Sequence, residues 1–176
     1  IRDDVESRGL GDVYKRQGAI LVGFLYYCRD AVGVGVDIST EALKIAEENG
    51  QNLKITDRVE WRQGDYLKAF DEEDIFDGIF SNPPYIPTKD IGGLSREVKH
   101  EPRLALDGGT DGLYFYHLLA KGAAEHLKPG GFLAVEFGIG QATDILEMFR
   151  KSAQYEDFEV IKDYGGIERA LYCRKK

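Results

Sequence analysis

Asn82-Pro83-Pro84-Tyr85 follows directly on the apolar run Ile75-Phe76-Asp77-Gly78-Ile79-Phe80-Ser81. Two prolines lack backbone N–H groups and fix φ, so a strand that reaches this point cannot extend its ladder and leaves the sheet as a rigid loop. An amide and an aromatic ring are then held at the strand's C-terminal end, the edge at which open α/β sheets bind ligands. Asn82 Oδ1 and the Pro83 carbonyl can both accept hydrogen bonds from a planar –NH2 group while Tyr85 packs on its face. Such a set suits chemistry at a planar nitrogen, with Asn82, Pro83 and Tyr85 as the catalytic candidates and Pro84 completing the substrate-binding loop. A plain strand stop would also use Asn-Pro, but the full tetrapeptide after a buried strand favours a site.

Two more acidic positions fall at strand ends. Asp37 follows Val34-Gly35-Val36 and opens a helix, the placement in which a carboxylate accepts both hydroxyls of a ribose. Its plainer role is electrostatic support of a helix N-terminus. Asp65 and Tyr66 follow a third strand, where a carboxylate can accept from an exocyclic amino group and a ring can cover a purine face. An ordinary Gly-Asp turn explains Asp65 alone. Asp37, Asp65 and Asn82 at one sheet edge together predict a nucleotide-like cofactor beside a nitrogen substrate.

The elements that must position these residues alternate in type. Ala19 to Arg29 is apolar nearly all round and reads as a helix packed on a sheet, followed by a buried strand from Ala31 to Val36. Ser39 is placed to cap a helix running to about Asn52, with Glu41 in its first turn. Strands are expected at Val59 to Gln63 and Ile75 to Ser81, then an irregular Gly- and Pro-rich region from Ile86 to Gly112. A helix from about Leu113 to Leu127 stops before Lys128-Pro129-Gly130-Gly131. Phe132 to Phe137 is a strand, Gln141 to Lys151 a helix, and Phe158 to Asp163 and Arg169 to Arg174 a closing hairpin about Tyr164-Gly165-Gly166. Alternation of this kind implies a mostly parallel sheet with right-handed crossovers, to which the hairpin adds one antiparallel strand.

Length and charge narrow the function. A chain of 176 residues with 43% hydrophobic content can bury one substantial core. The net charge of −8 argues against a large phosphate-neutralising surface, so nucleic acid is not the expected partner. Cys28 and Cys173 are far apart, and His100, His117 and His126 form no ligand pattern, so no metal is expected and the thiols read as those of a reduced, cytoplasmic protein. The longest apolar stretch, Ala19 to Cys28, is too short to span a bilayer and lacks the flanks of a signal peptide.

Further segments sharpen the reading. Val36-Asp37-Ile38-Ser39, Gly64-Asp65-Tyr66, Asn82-Pro83-Pro84-Tyr85-Ile86, Glu101-Pro102, Ala105-Leu106-Asp107-Gly108-Gly109-Thr110-Asp111-Gly112-Leu113 and Asp163-Tyr164-Gly165-Gly166-Ile167-Glu168-Arg169 together resemble the catalytic domain of the HemK/PrmC family. These are S-adenosylmethionine-dependent methyltransferases acting on the side-chain amide nitrogen (N5) of a glutamine in peptide chain release factors. The resemblance runs from about Gly18 to the C-terminus. It implies a Rossmann-like class I methyltransferase fold, α/β, with a mostly parallel seven-strand sheet and a C-terminal antiparallel strand. It further implies that Asp37 binds the cofactor ribose, Asp65 and Tyr66 the adenine, Gly18 the methionine side, and Asn82 with Pro83 the substrate amide.

The first seventeen residues depart from that pattern. The family carries an Asp-x-Gly-x-Gly-x-Gly loop after its first strand, where small residues let the backbone approach the cofactor. Counting back from Asp37, Gly18 is the last of these glycines, but Tyr14 and Arg16 stand at the other two. Ile1 to Gln17 is polar and charged, so residues 1–17 are expected to be a non-native or disordered leader, the first strand disrupted, and residues 18–176 the catalytic domain. Family members also carry a helical N-terminal domain, so the resemblance leads one to expect that these residues are a truncated catalytic domain. Asn-Pro-Pro-Tyr is shared with DNA adenine and ribosomal RNA methyltransferases, so a DNA or RNA amino-group methyltransferase is the nearest alternative. A non-catalytic binding module that has lost its cofactor loop is a third.

Overall fold

The alternating apolar runs become strands of a single sheet with helices on both faces. The computed structural model describes residues 4–8, 18–95, 98 and 102–176. Its strands are β1 Asp4–Arg8, β2 Gly33–Asp37, β3 Val59–Gln63, β4 Phe76–Asn82, β5 Leu127–Glu136, β6 Tyr155–Lys162 and β7 Glu168–Lys175. They lie in the order β3-β2-β1-β4-β5-β7-β6. The first five run parallel, and β7 enters antiparallel between β5 and β6.

The helices α1 Ala19–Tyr27, α2 Thr40–Asn52, α3 Arg103–Leu106, α4 Tyr114–Gly122 and α5 Ala142–Lys151 connect them. Ser39 caps α2 as its position predicts, its hydroxyl accepting from the Ala42 N–H at 3.2 Å. In α5 the buried residues Ala142, Ile145 and Phe149 recur at helical spacing and face the core. Adjacent residues of β4 show the two-sidedness of the sheet. Ile79 joins the larger apolar cluster with Tyr116, Leu119, Ile145 and Phe149, while the Phe80 ring meets Phe24 of α1 at 5.6 Å. Fully burying a side chain such as Ile145 or Phe149 contributes about 1.5–3 kcal/mol, so this double-sided cover supplies much of the stability.

Two expectations are corrected. The charged N-terminal segment is not wholly outside the fold, because Asp4–Arg8 is the central strand and pairs with β2 on one side and β4 on the other. Ladder bonds join backbone groups, so a gap between two parallel strands can be filled by a segment with one aliphatic residue, Val5. The altered loop at Tyr14 to Gln17 lies outside the described residues. Secondly, Lys128-Pro129-Gly130-Gly131 does stop the preceding helix, which narrows to a 3-10 turn over Ala123–His126, but the four residues fall within β5. There the pairing with β4 jumps from Phe76↔Leu127 to Gly78↔Phe132, so the Pro-Gly segment is accommodated as an irregularity in the ladder. Among the described residues no helix is long and apolar enough to cross a membrane.

Candidate active site

Strand order reverses between β1 and β4, which makes a crevice at the C-terminal ends of the strands the expected ligand position. Asp37 ends β2 beside this crevice and is 7% exposed. Its Oδ1 accepts from the Ser39 N–H at 2.9 Å, and its own carbonyl accepts from the Gly64 N–H at 3.1 Å, tying the end of β2 to the turn after β3. Gly18 sits just before α1 with φ of 69°, and a Cβ there would lie 2.7 Å from Trp61 Cη2 and 2.8 Å from Ala46 Cβ. Only glycine satisfies both the backbone and the space. Gly18, Gly35, Asp37, Ala46 and Trp61 enclose a small pocket of about 10 Å³, room for about one water.

Asp65 and Tyr66 lie at the end of β3 as expected, but in different environments. The Asp65 carboxylate is half-exposed and pairs with Lys68 one turn on. Tyr66 has a left-handed φ of 58°, which turns its side chain inward; it is 6% exposed and stacks on Phe115 with centroids 4.5 Å apart. Its ring is part of the core, whereas the Asp65 carboxylate is open to solvent at this edge.

Asn82 is the last residue of β4 and is 7% exposed. Its Nδ2 donates to Glu136 Oε2, at the end of β5, at 3.0 Å. Pro83 and Pro84 are buried, and the chain then emerges at the half-buried Tyr85. The Tyr85 carbonyl accepts from Gln141 Nε2 at 3.0 Å; the same nitrogen reaches the Gly112 carbonyl at 3.3 Å, and Gln141 Oε1 accepts from the Gly138 N–H at 2.8 Å. A Cβ at Gly138 would stand 2.9 Å from Tyr85 Cδ2, so the ring depends on that glycine for its place.

The Ala105 to Leu113 segment clamps this loop. Ile86 pairs with it through Ile86 N–H to Leu106 O at 3.0 Å and Gly108 N–H to Ile86 O at 2.9 Å. Asp107 Oδ1 accepts from the Thr88 hydroxyl at 2.6 Å and from the Gly109 N–H at 3.1 Å, and Asp111 accepts from the Leu113 N–H. The Thr88 hydroxyl is the main reason that the Asp107 carboxyl titrates below its usual range, with the Gly109 N–H and Arg103 assisting. Glu101 lies outside the described residues.

The Asp163 to Arg169 segment plays a different structural part. Asp163 Oδ1 accepts from the N–H groups of Gly165 and Ile167, its Oδ2 pairs with Arg169, and the Arg169 carbonyl accepts from the Phe137 N–H at 2.8 Å. It shapes the β6–β7 turn and fastens that turn to the end of β5. The backbone N–H of Ile167, more than the guanidinium of Arg169, holds the Asp163 carboxyl below its ordinary range.

Glu136 and Gln141 are absent from the sequence-based set. Glu136 does carry a legible signal, an acid closing an apolar strand as Asp37 closes β2. Gln141, three residues past Gly138, has no local pattern that distinguishes it from a helix-capping residue.

An open sheet in this strand order, with an antiparallel strand next to last in space, defines the class I S-adenosylmethionine-dependent methyltransferase fold. A methyltransferase from Pyrococcus furiosus superposes with a TM-score of 0.69 at 22% identity over 98% of this chain and 74% of that one. The ribosomal protein L11 methylase of Lactobacillus delbrueckii subsp. bulgaricus does so at 0.64, with 16% identity over 100% of this chain and 71% of that one. Residues 25–90 match the family described as UPF0020, RMKL-like, methyltransferase domain. At the level of sequence, the release factor glutamine methyltransferase of Moorella thermoacetica is 39% identical over 174 residues, and that of Bradyrhizobium diazoefficiens 44% over 167. These matches cover 99% and 94% of this chain but 61% and 56% of the two relatives, so the chain spans somewhat over half their length. Over nearly its whole length the chain is similar to release factor glutamine methyltransferases.

Proposed function

We propose that this chain carries the catalytic unit for S-adenosylmethionine-dependent methylation of the N5 side-chain amide of a glutamine in peptide chain release factors. The observation that carries the reading is Asn82, held at the end of β4 with its Nδ2 engaged by Glu136, so that Oδ1 is left to face a substrate amide. The unit comprises the segment from Gly18 onward together with Asp4–Arg8 as its central strand, and works in the cytoplasm alongside its substrate.

The residues suit the adenosine half of the cofactor: a nearly buried carboxylate at Asp37, beside a helix N-terminus, can accept the ribose hydroxyls, and Asp65 can accept the adenine amino group. The glycine at position 18 keeps the backbone side-chain-free where the methionine half would pass. S-adenosylmethionine supplies an electrophilic methyl group on sulfur. An amide nitrogen is a poor nucleophile because its lone pair is delocalised into the carbonyl. Asn82 Oδ1 and the Pro83 carbonyl take one N–H each and turn the lone pair toward the methyl carbon. Tyr85 covers the amide face and excludes water. Orientation and electrostatic placement therefore do most of the work. Bound here, the cofactor would supply a methyl group whose C–S electron pair goes to sulfur as the nitrogen takes the carbon, and the displaced amide proton would pass to solvent.

The test is transfer of a labelled methyl group to an intact release factor, followed by mass mapping of the modified residue. It is run with the chain as it stands and with Tyr14→Gly/Arg16→Gly. Label on a glutamine side chain supports the reading. Label on nucleic acid in place of the release factor would favour an amino-group methyltransferase of DNA or RNA, against which the net charge of −8 already speaks. No cofactor binding by either form would leave a binding module.

A further inference from the structure

We propose that Glu136 is a positioning residue: its carboxylate holds the Asn82 side chain in the one orientation that presents Oδ1, and not Nδ2, to the reacting nitrogen. The kinetic consequence rests on the methylation reading above, whereas the orientation itself does not.

β4 and β5 are parallel neighbours with Ser81 opposite Val135, so the next residues, Asn82 and Glu136, end their strands side by side. The side chains meet at 3.0 Å. The end of β5 is itself fixed. The Glu136 carbonyl accepts from the fully buried Tyr116 hydroxyl at 2.8 Å, and the Phe137 N–H is bonded to the Arg169 carbonyl.

An asparagine amide is nearly symmetrical in shape but opposite in hydrogen-bonding sense at its two ends. A half-turn about its last bond would leave its volume unchanged and set an NH2 group against the NH2 group of a substrate, donor against donor. Packing alone cannot prevent that turn, because nitrogen and oxygen occupy almost the same space. A carboxylate can, since it only accepts and so takes Nδ2 and rejects Oδ1, and a charge-assisted bond of this kind is stronger than a neutral one. Backbone carbonyls could serve the same end, but a side chain on the adjacent strand reaches Asn82 without interrupting either ladder.

The decisive variant is Glu136→Gln, which keeps shape and volume but can donate as well as accept, and so pairs with either end of Asn82. In side-chain amide NMR of the 15N-labelled 176-residue chain, Asn82 is expected to show slow solvent exchange of its Nδ2 protons, and Glu136→Gln to shift those resonances and speed their exchange. In the form that transfers methyl groups, kcat is expected to fall roughly ten- to a hundredfold, the loss of one bond to a charged group, with cofactor affinity and melting temperature nearly unchanged. Asn82→Asp alone sets two carboxylates together and should be poorly active. Asn82→Asp combined with Glu136→Gln restores a donor–acceptor pair with an oxygen facing the cleft, and should transfer faster than either single variant. A merely structural role would not produce that rescue. Unchanged Asn82 resonances in Glu136→Gln overturn the proposal, as does a double variant slower than both singles. Absence of transfer to glutamine by any form refutes the methylation reading instead, and the NMR result then decides the orientation alone.

Discussion

Gln141 bonds the carbonyl of Tyr85 at 3.0 Å from across the sheet edge, and thereby joins the start of α5 to the loop that leaves β4. With its two further bonds, to Gly112 and Gly138, one side chain holds three segments of the site in register. Gln141→Ala should lower stability by about 1–3 kcal/mol, the cost of stranded buried partners, and raise KM for the protein substrate more than it affects cofactor binding. Gln141→Glu keeps the acceptor for Gly138 but sets a carboxylate against two carbonyls, so it should be at least as destabilising as alanine. Thermal melting of both variants checks this, and a glutamate variant as stable as the parent would show that the clamp is inert.

Asn82 and Asp37 should separate by the step they affect. Asn82→Ala is expected to reduce methyl transfer about a hundred- to thousandfold while leaving cofactor affinity largely intact. Asp37→Ala should chiefly weaken cofactor binding. Single-turnover transfer of labelled methyl, with cofactor affinity from calorimetry, distinguishes them; near-normal turnover by Asn82→Ala would reduce Asn-Pro-Pro-Tyr to a strand stop.

Asp107 and Asp163 both titrate below the ordinary carboxyl range in the folded chain, the first mainly through Thr88 and the second mainly through the Ile167 N–H. A carboxyl whose folded pKa lies below its unfolded value of about 3.9 contributes stability that is present above that value and lost as pH falls through the folded pKa. Acid should therefore loosen the Ala105–Leu113 clamp and the β6–β7 turn. Thr88→Ala removes the largest cause at Asp107 and should flatten the fall of melting temperature below about pH 4. An unchanged acid limb would show that Thr88 does not control this group.

The central position of β1 has a measurable counterpart. Backbone amides of Asp4–Arg8 lie between two parallel partners, whereas among the described residues β3 has a partner on one side only. Exchange of the Asp4–Arg8 amides should be slower than that of Val59–Gln63. The reverse order would mean that the charged strand does not hold its place in solution.

By the count back from Asp37, Tyr14 and Arg16 fall where the HemK/PrmC pattern has glycines, and an arginine is an unfavourable replacement beside a cationic sulfonium. The unaltered chain should bind S-adenosylmethionine weakly, and Tyr14→Gly/Arg16→Gly should tighten binding. Calorimetric titration decides, and equal low-micromolar affinity in both forms would remove the crowding argument.

The fold class was legible because β2, β4 and β5 are apolar and end in polar residues, while Ser39 and the buried stripe of α5 announce their helices. The positions of Asp37 and Asn82 at strand ends were legible because each closes such a strand, and that of Asp65 because a Gly-Asp turn follows β3. The burial of Tyr66 against Phe115 was not legible, because a positive φ at a non-glycine residue leaves no local mark in sequence. β1 was missed for a related reason: its place depends on the gap between β2 and β4, and backbone pairing is silent in side-chain composition. Glu136 could have been picked out as an acid closing an apolar strand, but its partner Asn82 is 54 residues away, and Gln141, whose partner Tyr85 is 56 residues away, has no local pattern at all.

The insertion of β7 between β5 and β6 reaches into the protein's synthesis. β6 leaves the ribosome before β7, yet β7 is its neighbour in the sheet, so β6 has no edge to join until Glu168–Lys175 has been made. A nascent chain stopped short of Glu168 should expose both β6 and the edge of β5, which is the kind of unpaired edge that chaperones and proteases recognise. Limited proteolysis of stalled chains would reveal it as cleavage within Tyr155–Lys162 that vanishes once β7 is released. For this topology the sheet closes from the inside, and β7, translated after β6, decides when this edge of the sheet is closed.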